Sequence, residues 1–212
     1  MTKTNPIGYH GVENVKYAPK TDKEYTTSFI PLANAKNLGF TSTLEDSELY
    51  ADNQLLARIP NDKGYTAEFG TTALLPDLEK AAGYSIDAAS GVIGSNVVQY
   101  LRGALYYEFT EIGADKKSYK VKVWAYNAEI GKGALNHSTD EKSITFGEYK
   151  YPITIYGDPL MDAQGAKAYI DELGMGRMAF MYTSRPWDTG YETFGDAVPI
   201  PKVKTAAPPA GG

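Results

Sequence analysis

Residues 104–126 read ALYYEFTEIGADKKSYKVKVWAY, two aromatic-rich runs on either side of a polar turn. In the second run Tyr119, Val121, Val123 and Ala125 alternate with Lys120, Lys122, Trp124 and Tyr126, the period of two that sends successive side chains to opposite faces of a strand. One face is apolar and the other mixed. Residues 104–110 carry a matching extended pattern, and the turn residues Gly113, Ala114, Asp115 and Lys116 lie between the runs, so the segment predicts an antiparallel pair.

Outward from this pair the same periodicity recurs. Tyr65, Ala67 and Phe69 alternate with Thr66 and Glu68, and residues 40–44, 47–51 and 54–59 also look extended. The cluster Asn61, Asp62, Lys63 and Gly64 has the composition of a turn and predicts the exposed tip of a long hairpin. Residues 12–18 form a strand ended by Pro19, 28–32 a short apolar stretch and 33–38 a polar connection. Further strands are expected at 97–102, 142–146, 149–156 and 177–183, with Pro152 marking an edge or a bulge. Residues 84–94 and 128–140 read as loops, and 184–201 as aromatic but irregular.

Two helices are expected. Pro76, Asp77 and Glu79 open one that Gly83 stops. Asp162 caps the other, whose apolar positions Ala166, Tyr169, Ile170 and Leu173 follow helical spacing up to Gly174. Many strands, short turns and two helices make a mainly β chain, and residues 204–212, KTAAPPAGG, read as a flexible tail.

The 212 residues suit one domain of ordinary to large size, without internal repeats. Lys plus Arg number 21 against 26 Asp plus Glu, a formal net charge of −5, and no basic block exceeds Lys116–Lys117. That disfavours a protein that grips phosphates. Without Cys there is no disulfide, thiolate metal site or Cys nucleophile. The first residues lack the basic and apolar regions of a secretion signal, and no apolar run approaches the roughly 20 residues of a membrane helix. A soluble chain made in the cytoplasm is the expectation.

Chemistry-bearing motifs are scarce. His10 and His137 stand apart and read as ordinary loop residues. The glycines at 91 and 94, and at 174 and 176, lack the remainder of a phosphate or dinucleotide loop, and there is no Gly-x-Ser-x-Gly elbow. Asn136, His137 and Ser138 match a glycan acceptor pattern, idle without export. Glu45, Asp46, Glu48 and Asp52 cluster, but a solvated acidic loop explains them better than paired catalytic carboxylates. The unusual number is 17 Tyr against 7 Phe and 2 Trp. It fits a sugar-stacking β-sandwich, a protein that buries Tyr against copies of itself, or tyrosines that merely pack a sheet.

Three stretches taken in order carry a resemblance: GVENVKYAP at 11–19, PLANAKNLGFTSTLEDSELYADNQLLARIPNDKGYTAEFGTTALLPDLEKAAGY at 31–84, and YYEFTEIGADKKSYKVKVWAYNAEI at 106–130. With a GV-N-V-YA strand, an acidic segment ending in YADN, a GYTAEF strand, a leucine-acid helix and a DKK turn, the chain resembles the major tail proteins of long non-contractile-tailed phages of Gram-positive bacteria. The resemblance spans roughly 11–156. It implies a mainly β, antiparallel β-sandwich or barrel-like tail-tube fold with one or two flanking helices. That is a single domain over 1–203, in which 157–203 is an elaboration.

The resemblance further implies a non-enzymatic virion protein, without metal or cofactor, that forms hexameric rings stacked into a tail tube. Its partners would be itself, the tape-measure and the tail-terminator proteins, with DNA passing through unbound and no membrane. It would reside in the virion tail, and in the host cytoplasm during assembly. The resemblance implies a long hairpin that reaches a neighbouring subunit or the next ring, and here it would cover about 41–64, with Leu44, Tyr50, Leu55, Leu56, Ile59, Asn61 and Lys63 in contact. Glu45, Asp46, Glu48 and Asp52 would then face the lumen. The competing expectation is a carbohydrate-binding β-sandwich of a phage adhesion device, with Trp124, Trp187 and exposed tyrosines stacking on sugars.

Overall fold

The computed structural model describes residues 3–21, 24–51, 54–81, 85–87, 91–93, 100–136, 147–160 and 178–200. The helix expected at 162–174, the strand at 142–146, His137 and the tail lie outside them. The strands are β1 (Pro6–Thr21), β2 (Glu24–Tyr25), β3 (Ile30–Pro31), β4 (Ala35–Ala51), β5 (Gln54–Thr71), β6 (Ser85–Asp87), β7 (Gly91–Ile93), β8 (Leu101–Gly113), β9 (Ser118–Ile130), β10 (Ala134–Asn136), β11 (Glu148–Ile155) and β12 (Met181–Ser184). One helix, α1 (Pro76–Ala81), is present among the described residues. The protein is mainly β and antiparallel.

The β8–β9 pair forms as its alternation dictates, from Leu101↔Ile130 to Ile112↔Ser118. At the turn Lys116 takes a positive φ of 62° and Asp115 Oδ1 accepts the Lys117 N–H. β1 joins β8 along the other side, and the main sheet runs β2-β1-β8-β9-β11-β5-β4. β9 hands over to β11 at Ile130↔Ile153, and β11 pairs with β5 from Thr71↔Tyr149 to Tyr65↔Ile155.

The sheet folds on itself instead of closing into a barrel. Tyr17 of β1, Leu105 of β8 and Ala125 of β9 meet Phe69 of β5 and Ile153 and Ile155 of β11 in one buried cluster. Two walls of one bent sheet therefore face each other as a sandwich. Leu75 and Leu78 from around α1 complete this core, and Glu79, also buried, accepts a 2.8 Å hydrogen bond from Tyr151.

Several expectations need correction. The four extended segments between 40 and 69 are two long strands, and the hairpin closes at Ala51↔Gln54, not at 61–64. Asn61–Gly64 lies inside β5, where the register slips between Ser42↔Tyr65 and Leu44↔Asp62. The turn-like residues serve a bulge: Gly64 has φ 100° and its N–H bonds Asp62 Oδ1 at 2.9 Å. Residues 33–38 are not all connection, because β4 already starts at Ala35, and the segments read as loops contain β6, β7, β10 and the end of β9.

Pro152 sits in an interior strand, paired with Glu68 of β5. On its other side β11 passes there from β10 to β9, and its carbonyl accepts the Gly131 N–H. A residue without an N–H fits where neither ladder needs one.

The mixed face of β9 is not a solvent face. Trp124 and Tyr126 are fully buried, in two clusters that also take Ala18, Ala104 and Tyr106, with Phe194, Leu160 and Ala179 from the far end of the chain. Residues 185–200, together with Tyr25, Phe29, Leu160 and Ala179, cover the outer face of the β1–β8–β9 wall, while β2, β3 and β12 extend the sheet itself by pairing with β1 and β9. No helix among the described residues is long and apolar enough to cross a membrane.

Candidate assembly surface

β4 and β5 stay paired well past the body of the sandwich. Phe40 and Tyr65 still pack on the core, but no described residue from 44 to 62 belongs to a core cluster. Eight residues, Leu44 to Ala51, pair across this free part, which makes an arm about 25 Å long. It presents Leu44, Leu49 and Tyr50, each some 60% exposed, to solvent. A two-stranded ribbon with bare apolar side chains is only marginally stable on its own.

The polar groups of the arm hold it together. Arg58 bonds Asp46 and lies 3.7 Å from Glu48, Tyr50 donates to Glu48 at 2.6 Å, and Lys63 pairs with Glu45. Each of these three acids thus has a cation beside it. Alternation further divides them, since Asp46 and Glu48 share one face of the ribbon and Glu45 takes the other. They cannot form a single acidic wall. Asp52 lies outside the described residues.

Of the hairpin residues expected at an interface, Leu44, Tyr50, Asn61 and Lys63 are exposed on the arm. For Leu55, Leu56 and Ile59 only the backbone, in β5, is described. Asn61 and Lys63 belong to the base of the arm, not to its tip.

Two sheet edges accompany the arm. Among the described residues no strand pairs with the outer side of β4, and β1 meets only β3 and β2, at Lys16–Tyr17 and Lys20–Thr21, on the side away from β8. Residues 6–14 thus also present a free edge, Val15 O being taken by the Leu32 N–H, and Ile7 and Tyr9 on it are 68% and 81% exposed. Unpaired edges template pairing with another chain. Because the two edges differ, their union would be head-to-tail, the kind that closes rings.

Tyrosine is used in two ways. Tyr17, Tyr106, Tyr126 and Tyr151 are buried with satisfied hydroxyls; that of Tyr17 lies 2.6 and 2.7 Å from the carbonyls of Leu101 and Ala128. Burial raises all four phenols far above their ordinary pKa, so they are neutral hydrogen-bonding core residues. Tyr9, Tyr50, Tyr100 and Tyr156 remain on the surface.

The expected sugar platform loses its best residue, because Trp124 is buried and its indole N–H bonds Phe194 O at 2.8 Å. Trp187 is half-buried, edge-on to Tyr119 with centroids 5.4 Å apart. His10 stands exposed opposite Thr110 in the β1–β8 ladder. No group of three His, Asp or Glu among the described residues could hold a metal ion.

No protein-family model matches the chain, and no curated protein matches it significantly.

Proposed function

We propose that the chain is a structural subunit that self-assembles into stacked hexameric rings, the tail tube of a long non-contractile-tailed phage of Gram-positive bacteria. The arm carries this reading: it leaves the core, bares Leu44, Leu49 and Tyr50 and keeps one edge unpaired. The order of the resembling segments supplies the family. Neighbouring subunits satisfy the free edges of β1 and β4, and the arm reaches across the joint.

Rings stack through unlike faces, so the tube grows without limit until a terminator protein caps it, and a tape-measure protein sets its length. Each subunit brings a net charge of −5, which disfavours adhesion of DNA to the tube. The arm acids contribute little to that effect. They are paired, and their role is to stiffen a docking element.

Leu44 and Asp62 face each other in the ladder, so replacing residues 45–61 by Asn-Gly joins them through a two-residue turn. The shortened subunit is expected to keep its circular dichroism and melting temperature, since the deleted part adds nothing to the core, and to sediment as a monomer where the full chain assembles. Assembly of the shortened subunit at the same concentration would overturn the role given to the arm.

A further inference from the structure

Residues 185–200 lie across the outer face of β1, β8 and β9 without joining the sheet. The ladder ends at Ser184↔Lys122. Beyond it, the backbone–backbone hydrogen bonds found among the described residues of this segment are internal: Asp188 to Arg185, Tyr191 to Asp188, Phe194 to Tyr191 and Asp196 to Thr193. It has its own local structure and borrows none from the strands.

Side chains of the sheet hold it instead. Lys122 reaches Tyr191 O at 2.9 Å, Trp124 reaches Phe194 O at 2.8 Å, Lys16 reaches Gly195 O at 2.5 Å and Tyr126 reaches Pro199 O at 2.6 Å. Arg185 makes two 2.9 Å bonds to Glu111 where the segment begins. Lys16 is central to this set. Its ammonium lies 4.3 Å from the ring centre of Phe29 and 4.6 Å from that of Tyr106, and both rings pack on Trp124.

We propose that residues 185–200 form a cover that opens as a unit from the β1–β8–β9 face while the sheet stays folded, with the Lys16 ammonium as its latch. A segment with internal turns and no ladder bonds to the sheet is the kind that opens sub-globally. Gly190, at φ 83° with open space around it, gives the cover an unhindered bend. Burial lowers the Lys16 pKa although Asp196 and Glu108 pull the other way, so closure costs the ammonium part of its hydration. Its carbonyl bond and ring contacts offset that cost, which leaves the closed cover poised. Opening exposes Tyr106 and one side of Trp124 to solvent. The device does not depend on the tail-tube reading.

Amide hydrogen exchange of the full chain in sub-denaturing urea tests it. In the wild type, amides of 190–196 are expected to exchange at least about a hundredfold faster than those of β8 and β9, with little dependence on urea. Lys16→Met is expected to speed exchange in the cover a further ten- to thirtyfold, roughly the worth of a desolvated cation–π contact. Rates in β8 and β9 should not change, and Lys16→Arg should behave like the wild type. Cover and sheet amides that share one rate and one urea dependence in the wild type would overturn the proposal. So would an unchanged cover in Lys16→Met. The wild-type comparison decides even if the Met variant fails to fold.

Discussion

Replacing Asp158 by Ala is expected to lower the unfolding free energy by about 3–5 kcal/mol, the usual cost of leaving one charge of a buried pair alone. The Asp158 side chain is 3% exposed, and its carboxylate accepts from Lys20, whose own side chain is 19% exposed, from Tyr25 and from the Leu160 N–H. These bonds tie β1 and β2 to residues 158–160. Urea denaturation should show a lower midpoint at an unchanged slope. A loss under about 1 kcal/mol would place the pair with ordinary surface ion pairs.

The same carboxylate predicts acid sensitivity. Burial alone would raise its pKa, but the hydrogen bonds from Lys20, Tyr25 and Leu160 outweigh it and hold the group below its ordinary value of 3.8. A carboxyl whose pKa is depressed by folding adds stability that is fully present above its unfolded pKa and is lost as the pH falls through the folded one. Wild-type stability should therefore decline from about pH 4 downward. The Asp158→Ala variant should decline less steeply over that range.

The second large effect is expected at Gly64. A Cβ there would stand 1.9 Å from the backbone oxygen of Ile155, in a residue with φ 100°. Conformational strain and a clash with main chain that cannot swing away make Gly64→Ala cost about 2–4 kcal/mol. Gly190→Ala is the control, since it has φ 83° but nothing within 4 Å. It bears the strain without the clash, about 1–2 kcal/mol. Equal losses in the two variants would show that the packing of Gly64 against β11 is unimportant. Gly64 also lies at the bulge from which the arm leaves the body, so residual folded Gly64→Ala is expected to assemble poorly.

What the sequence revealed depended on whether the cause was local. β8 and β9 were legible because alternation and turn both fall within 23 residues. The apolar set Val121, Val123 and Ala125 turned inward as its period required. The fate of the mixed set is not legible: Lys120 and Lys122 share its face with Trp124, and the cover that buries Trp124 comes from residues 70 positions away. No local pattern carries that information.

The position of the hairpin tip is hidden for a related reason. Asp62-Lys63-Gly64 and Asp52-Asn53 both have turn chemistry, and only the long-range pairing of β4 with β5 shows that the first is a bulge inside a strand. The division of the acids between two faces was within reach, since Glu45 and Asp46 are adjacent residues of one strand. Periodicity and turn chemistry predict a long hairpin with an exposed tip, and only the resemblance implies that it reaches another subunit.

Self-association is the most direct test of the tube. Purified full-length protein, concentrated across a range of salt and imaged by negative-stain electron microscopy, is expected to show six-fold rings and stacked tubes. A subunit that stays monomeric at every concentration and salt, seen as single particles and confirmed by sedimentation, would contradict it.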